Sequence, residues 1–237
     1  MANTILFKAD SRGRADHGWL KSFHTFSFAG YHNPNRMHFG ALRVLNDDYV
    51  AAGNGFGTHP HSNMEIISIP LEGVLAHKDS MGNNGVIRPN EIQVMSAGSG
   101  VEHSEFNGSD TDAVKFLQIW LFPNKDNVTP RYDQIQIDPQ DRKNKFQQIV
   151  SPNPEDAGTW IHQDAWFHLA DIDQDKELKY SFKGEGTGLY LFVLEGEVDV
   201  LDHTLSRRDA IGITDVSDII IKATTATSLL LMEVPMY

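Results

Sequence analysis

The chain of 237 residues predicts an all-β protein built from two similar barrels in tandem. Three observations carry this. Short apolar segments at 39–45, 65–71, 92–95, 114–122, 188–194 and 227–234 are rich in Val, Ile, Leu and Phe and bounded by Gly, Pro, Asn or Asp. Many short strands separated by turn residues have this appearance. No window of about 11 residues holds a convincing helical period, so helices are expected to be short and few. A strand–turn–strand unit occurs twice, as Ser68-Ile69-Pro70-Leu71-Glu72-Gly73-Val74-Leu75 and as Leu191-Phe192-Val193-Leu194-Glu195-Gly196-Glu197-Val198.

The elements follow in order along the chain. Residues 1–10 lack the basic stretch and apolar core of a secretory signal, and no apolar run approaches the roughly 18 residues of a membrane span; the protein is expected to be cytoplasmic. The first strand covers 39–45. Next comes Gly57-Thr58-His59-Pro60-His61, then the strand 65–71 and its Leu71-Glu72-Gly73 turn. Arg88-Pro89-Asn90-Glu91 introduces the strand 92–95, and Ala97-Gly98-Ser99-Gly100 precedes Val101-Glu102-His103-Ser104-Glu105. After the strand 114–122, the polar, turn-rich region 123–139 marks a crossing between halves. The expected division is 1–137 for a metal-binding first domain and 138–237 for a second without a metal site.

Composition narrows the function. The chain has no cysteine, which excludes disulfides, iron–sulfur clusters and cysteine zinc sites. A formal charge of −12 with no basic run argues against direct nucleic-acid binding, since phosphate contacts need concentrated Lys and Arg. Any metal must be held by histidine and carboxylate.

His59 and His61, and again His103 and Glu105, are pairs of ligand-type residues two positions apart. In a strand such residues face the same way, roughly 6.6–7 Å apart. Two such strands side by side could offer three imidazoles and a carboxylate to one ion. Glu102 has the wrong parity relative to His103. Glu65 shares parity with His59 and His61, but a straight strand would spread these ligands over about 20 Å, so Glu105 is the favoured carboxylate. Such a donor set suits one divalent transition metal per chain, Fe, Mn, Ni, Co, Cu or Zn, and the residues alone leave the choice among them open. Four ligands on a six-coordinate ion would leave about two positions open for O2 or a chelating substrate. The remaining histidines, His17, His24, His32, His38, His77, His162, His168 and His203, read as structural or exposed groups. Offsets from Gly73 and Gly196, and alignment of Glu91 with Asp209, carry the four ligand positions to Phe182, Gly184, Ile221 and Ala223, so one metal per chain is expected.

Gly53-Asn54-Gly55-Phe56-Gly57-Thr58-His59-Pro60-His61 with Met64-Glu65 and Leu71-Glu72-Gly73 resembles the first cupin motif as pirins carry it. Asp79-Ser80-Met81-Gly82-Asn83, Met95-Ser96-Ala97-Gly98-Ser99-Gly100 and His103-Ser104-Glu105 are similar to the second half of the pirin pattern. His17-Gly18-Trp19-Leu20 and His24-Thr25-Phe26-Ser27-Phe28 resemble its N-terminal signature. Thr129-Pro130-Arg131-Tyr132 and His162-Gln163-Asp164 look like the bacterial quercetinase branch. The resemblance implies a bicupin, two β-barrels face to face, with His59, His61, His103 and Glu105 as ligands in the first and Glu65 beside them. Pro89-Asn90-Glu91 departs from the usual Pro-Gly-acid turn, which Asn can still form. The resemblance further implies a quercetin 2,3-dioxygenase-like enzyme, with iron the first expectation for its metal. A flavonol would bind through its 3-hydroxyl oxygen, Glu105 would take the hydroxyl proton, and O2 would cleave the ring to carbon monoxide and a depside. Phe56, Met64, Phe106 and Trp120 are candidate walls of a slot for the flat substrate. The alternative implied is a non-catalytic, redox-sensing regulator that acts through a protein partner. A monomer is expected, because two barrels can cover each other's apolar faces.

Overall fold

Burial along the strands separates two kinds of sheet. Asp218–Ala223 alternates exposed and buried residue by residue, as a strand with one face in water should. Thr187–Glu195 and Thr227–Pro235 are buried almost throughout, as strands covered on both faces must be. The computed structural model describes residues 2–237, which form 22 strands and two short 3-10 helices. No helix among them is long and apolar enough to cross a membrane.

Four sheets stack in sequence. In the first half a seven-stranded sheet runs in the order Arg131–Gln136, Glu91–Ser96, Glu65–Glu72, Val114–Leu121, Leu42–Val50, Leu20–His24 and Gly13–Asp16. It is closed into a barrel by a four-stranded sheet of Gly55–His61, Val101–Asn107, Leu75–Asp79 and Asn84–Ile87. The second half repeats the arrangement, with seven strands and then the four strands Glu177–Ser181, Asp218–Ala223, Glu197–Val200 and His203–Ser206. The two large sheets pack against each other: Leu42, Ile67 and Leu117 of one share a core with Phe167, Tyr190 and Leu230 of the other. This is the bicupin arrangement. The first strand, Asn3–Phe7, crosses over and pairs with Ala210–Thr214 of the second barrel, although it lies within residues 1–137.

The repeated turn has one physical basis in both halves. Gly73 and Gly196 hold φ of +76° and +85°, a region that L-residues with a Cβ avoid. A Cβ on either would also collide with the start of the strand that pairs with its own, at Ala113–Val114 and at Ala226–Thr227. Asn90 stands at φ +67°, so the Pro-Asn-Glu turn keeps the left-handed residue that glycine would supply.

Strand register corrects the repeat offsets by two residues. His77, four residues after Gly73, pairs with Glu105, and Val200, four after Gly196, pairs with Ile221. Glu105 therefore corresponds to Ile221 rather than Ala223, and His103 to Ile219 rather than Ile221. His59 pairs with His103 and Tyr180 with Ile219, so His59 corresponds to Tyr180 and His61 to Phe182. The stretch from the acidic turn to this strand is two residues shorter in the second half. A shift of two preserves the face, so the conclusion is unchanged in kind: Ile219 and Ile221 are buried in an apolar barrel core, and Tyr180 donates its hydroxyl to Glu233.

Candidate metal centre

Adjacent antiparallel pairing brings the histidine pairs together. His103 lies directly opposite His59, and Val101 opposite His61. The ring centroids of His59, His61 and His103 are 4.5–4.9 Å apart, and each offers a nitrogen within 4.8 Å of the others. Register slips between His103 and Glu105, which faces Phe56. This bulge adds a residue on the Gly55–His61 strand and returns Phe56 to the side of His59, where simple alternation would have turned it away.

The imidazoles suit a cation. The His59 Nδ1 lies 2.8 Å from the Gly57 carbonyl oxygen; that oxygen can only accept, so the proton sits on Nδ1 and Nε2 is left to bind. His61 Nε2 and both ring nitrogens of His103 are buried with no hydrogen-bond partner among the described residues. Burial first, and then neighbouring imidazoles, push His61 down to about 4 and His103 to about 3, so both are neutral, as ligands must be. Unpartnered buried nitrogens cost free energy, and a metal would satisfy them.

Glu105 is fully buried and reaches across the barrel. Ser68 donates to its Oε1 at 3.0 Å and Gln118 Nε2 to its Oε2 at 2.5 Å. Burial raises its pKa to about 7, opposed by these two hydrogen bonds. Its ligand atom groups with His103 and His77, whereas His59, His61 and His103 form the other group. His103 is common to both. His77 is itself engaged: its Nε2 is 3.0 Å from Asp79 Oδ2, Gln93 Nε2 lies 3.2 Å from its Nδ1, and its ring stacks on Tyr132.

The other candidates fall elsewhere. Glu102 is exposed, as parity required. Glu65 does not stand beside the ligands: Asn63 at φ +46° breaks the strand, and the chain re-enters in the large sheet. There Ser68 faces the barrel, while Glu65, with Ile67 and Ile69, faces the junction between halves. Ser96 donates to Glu65 at 2.7 Å. Phe106 is 42% exposed, because it alternates with Glu105, so it walls no slot. Met64 packs with Met95, Val101 and Trp120 in a small cluster but does not itself line the cavity that His59 and Glu105 border. Phe56 and Trp120, joined by Leu20 and Phe28, line a cavity of about 190 Å³ that His59 and Glu105 also border. Trp120 meets the His61 ring edge-on at 4.8 Å and Phe28 at 5.3 Å. A larger cleft of about 400 Å³ opens between the halves near Arg142 and Arg208. These arginines are paired with Asp171, and with Asp47 and Glu195, and none of the candidate ligands lines it.

Two β-barrels packed through their large sheets, one of them carrying converging imidazoles on neighbouring strands, define a bicupin with a metal-type centre in its first barrel. The chain belongs to the pirin family. Residues 7–121 match the family model described as Pirin, and residues 148–234 match the quercetinase C-terminal cupin domain. The chain is 42% identical over 230 residues to a protein named quercetin 2,3-dioxygenase from Escherichia coli K12, covering 97% of this chain and 98% of that one. It is 39% identical to a pirin-like protein of Caulobacter vibrioides, covering 94% and 96%. Among solved structures it resembles the bacterial pirin YhhW of Escherichia coli in complex with nickel(II), with a TM-score of 0.94 and 39% identity over 99% of this chain and 100% of that one.

Sequence reasoning missed Ser68, Gln118 and His77 as neighbours of the centre. Parity offered a signal for the first two, since Ser68 and Gln118 are polar residues inside otherwise apolar strands, which marks a buried polar contact. His24 also departs from the reading of a satisfied histidine: it is buried, and neither ring nitrogen has a partner among the described residues.

Proposed function

We propose that the protein is a metal-dependent, quercetinase-like dioxygenase, with residues 1–137 holding one divalent metal through His59, His61, His103 and Glu105 and residues 138–237 holding none. The observation that carries this reading is the three-imidazole cluster beside a buried carboxylate at the edge of an aromatic-walled cavity. The name of the Escherichia coli relative and the nickel(II) complex of YhhW support the reaction class and a divalent ion. When bound, a transition metal supplies Lewis acidity that lowers the pKa of a substrate hydroxyl, together with open coordination positions.

The chain's own residues do the rest. His59 is oriented by the Gly57 carbonyl, and His61 and His103 are kept neutral by burial. Glu105 accepts the proton of the flavonol 3-hydroxyl at a carboxylate oxygen, while Ser68 and Gln118 hold the carboxylate in place. Phe28, Phe56 and Trp120 exclude water and wall the slot that takes a flat substrate. O2 is the co-substrate, and the products are a depside and carbon monoxide.

The test pairs elemental analysis of the purified protein with an aerobic quercetin assay. About one metal per chain and equimolar O2 uptake and carbon monoxide release are expected. Glu105→Gln protein that retains metal should lose at least about 100-fold in turnover, the lower range for a positioned general base. Metal-replete protein that releases no carbon monoxide from any flavonol refutes the reading.

A further inference from the structure

The cavity beside the metal centre has a second wall that the proposed reaction does not use. His24 on Leu20–His24, and Asn46 and Asp48 on Leu42–Val50, all line it. They are 3%, 2% and 5% exposed. Both ring nitrogens of His24, Asn46 Oδ1 and Asp48 Oδ1 lack a hydrogen-bond partner among the described residues. Four polar atoms left buried and unpartnered on one cavity are costly, because each gives up its hydration without a replacement. Buried polar groups are nearly always hydrogen-bonded, so a cluster of unpartnered ones on a cavity calls for a partner. Asn46 and Asp48 are two residues apart on one strand, so they project to the same side.

Size decides how much of a ligand this wall can read. About 190 Å³ is below the roughly 300–1,000 Å³ of sites that enclose a whole drug-sized ligand. One substituted aromatic ring fits, with the rest of the molecule at the mouth. Phe28 and Trp120 supply aromatic wall, and the polar wall offers acceptor oxygens on Asn46 and Asp48 together with an imidazole that can donate or accept.

We propose that His24, Asn46 and Asp48 form a specificity subsite for an aryl ring bearing adjacent hydroxyl groups. The hydroxyls donate to Asn46 Oδ1 and Asp48 Oδ1, and His24 donates to one of the hydroxyl oxygens. In quercetin, the aryl ring attached at C2 carries the vicinal hydroxyls and lies next to the 3-hydroxyl. The subsite rests on the quercetinase-like reading of the metal centre, but its test reads binding rather than turnover.

Metal-loaded protein is titrated anaerobically with galangin, kaempferol and quercetin, which carry none, one and two hydroxyls on that ring, and quenching of tryptophan fluorescence gives each affinity. The expected order is quercetin, kaempferol, galangin, with quercetin on the order of 10- to 100-fold tighter than galangin, as two buried hydrogen bonds would give. In the Asn46→Leu/Asp48→Leu protein, or in the single Asp48→Leu protein if the double variant does not fold, the quercetin-to-galangin ratio should fall toward one. Equal affinities in the wild type, no binding of any of the three, or an unchanged ratio in the folded variants would overturn the subsite. A preserved binding preference without carbon monoxide release in air supports the subsite and refutes only the quercetinase reading. Carbon monoxide release with equal affinities does the reverse.

Discussion

Replacing Gly73 or Gly196 by alanine tests the physical basis of the repeat. Both residues occupy left-handed backbone, at φ +76° and +85°, where an L-residue costs roughly 1–2 kcal/mol. A Cβ at Gly73 would sit 2.9 Å from the Val114 Cα, and one at Gly196 2.8 Å from the Thr227 Cα, each closer still to the preceding carbonyl oxygen. These neighbours are backbone and cannot rotate away. Relief requires moving the start of a paired strand, and one or two ladder hydrogen bonds would weaken at about 1 kcal/mol each. Each variant should therefore lose about 2–4 kcal/mol. Urea unfolding followed by circular dichroism measures this as a lower midpoint at unchanged slope. Gly85→Ala is the control, because Gly85 has no left-handed φ and nothing within 4 Å of its added Cβ; it should stay within about 0.5 kcal/mol of the parent. If Gly73→Ala or Gly196→Ala matched this control, the equivalence of the two turns would lose its physical ground.

Two further outcomes follow from the buried histidines. His103→Ala removes the imidazole shared by both ligand groups, and metal content by elemental analysis should fall to about a tenth of the parent's or less, since losing even a supporting contact costs about 10- to 100-fold in affinity. His168, enclosed by Phe146 and Tyr180 in the second half, is lowered to about 3 by burial and then by Lys183. A histidine whose folded pKa is depressed binds protons more readily when unfolded, so its contribution is intact above about pH 6.5 and is lost as pH falls toward 3. Unfolding free energy of the parent should then drop more steeply than that of His168→Phe, by up to about 1.4 kcal/mol per pH unit in that window, and parallel curves would contradict the assignment.

Much of the fold was legible in the sequence because of where burial falls. The apolar runs at 65–71, 114–122, 188–194 and 227–234 fall on strands of the two large sheets, covered on both faces and therefore hydrophobic over most of their length. Strands of the small sheets carry only half as many apolar residues, and short ones such as Asn84–Ile87 and His203–Ser206 left no run to read. The crossing of Asn3–Phe7 into the second barrel left no mark either, since Ile5 and Leu6 look the same whichever sheet edge they pair with.

Parity within one strand is a local property, so the sequence by itself determined that His59 sides with His61, that His103 sides with Glu105, and that Glu102 points outward. Only the tertiary structure decided what those faces meet. It placed His59 opposite His103, inserted the bulge that returns Phe56 to the cavity, and turned Glu65 away through the break at Asn63. It also set Ser68 and Gln118 against Glu105, and His24, Asn46 and Asp48 against one cavity. The physical reason is that strand pairing joins residues tens of positions apart, with register set by turns and bulges whose lengths alternation along a single strand does not encode.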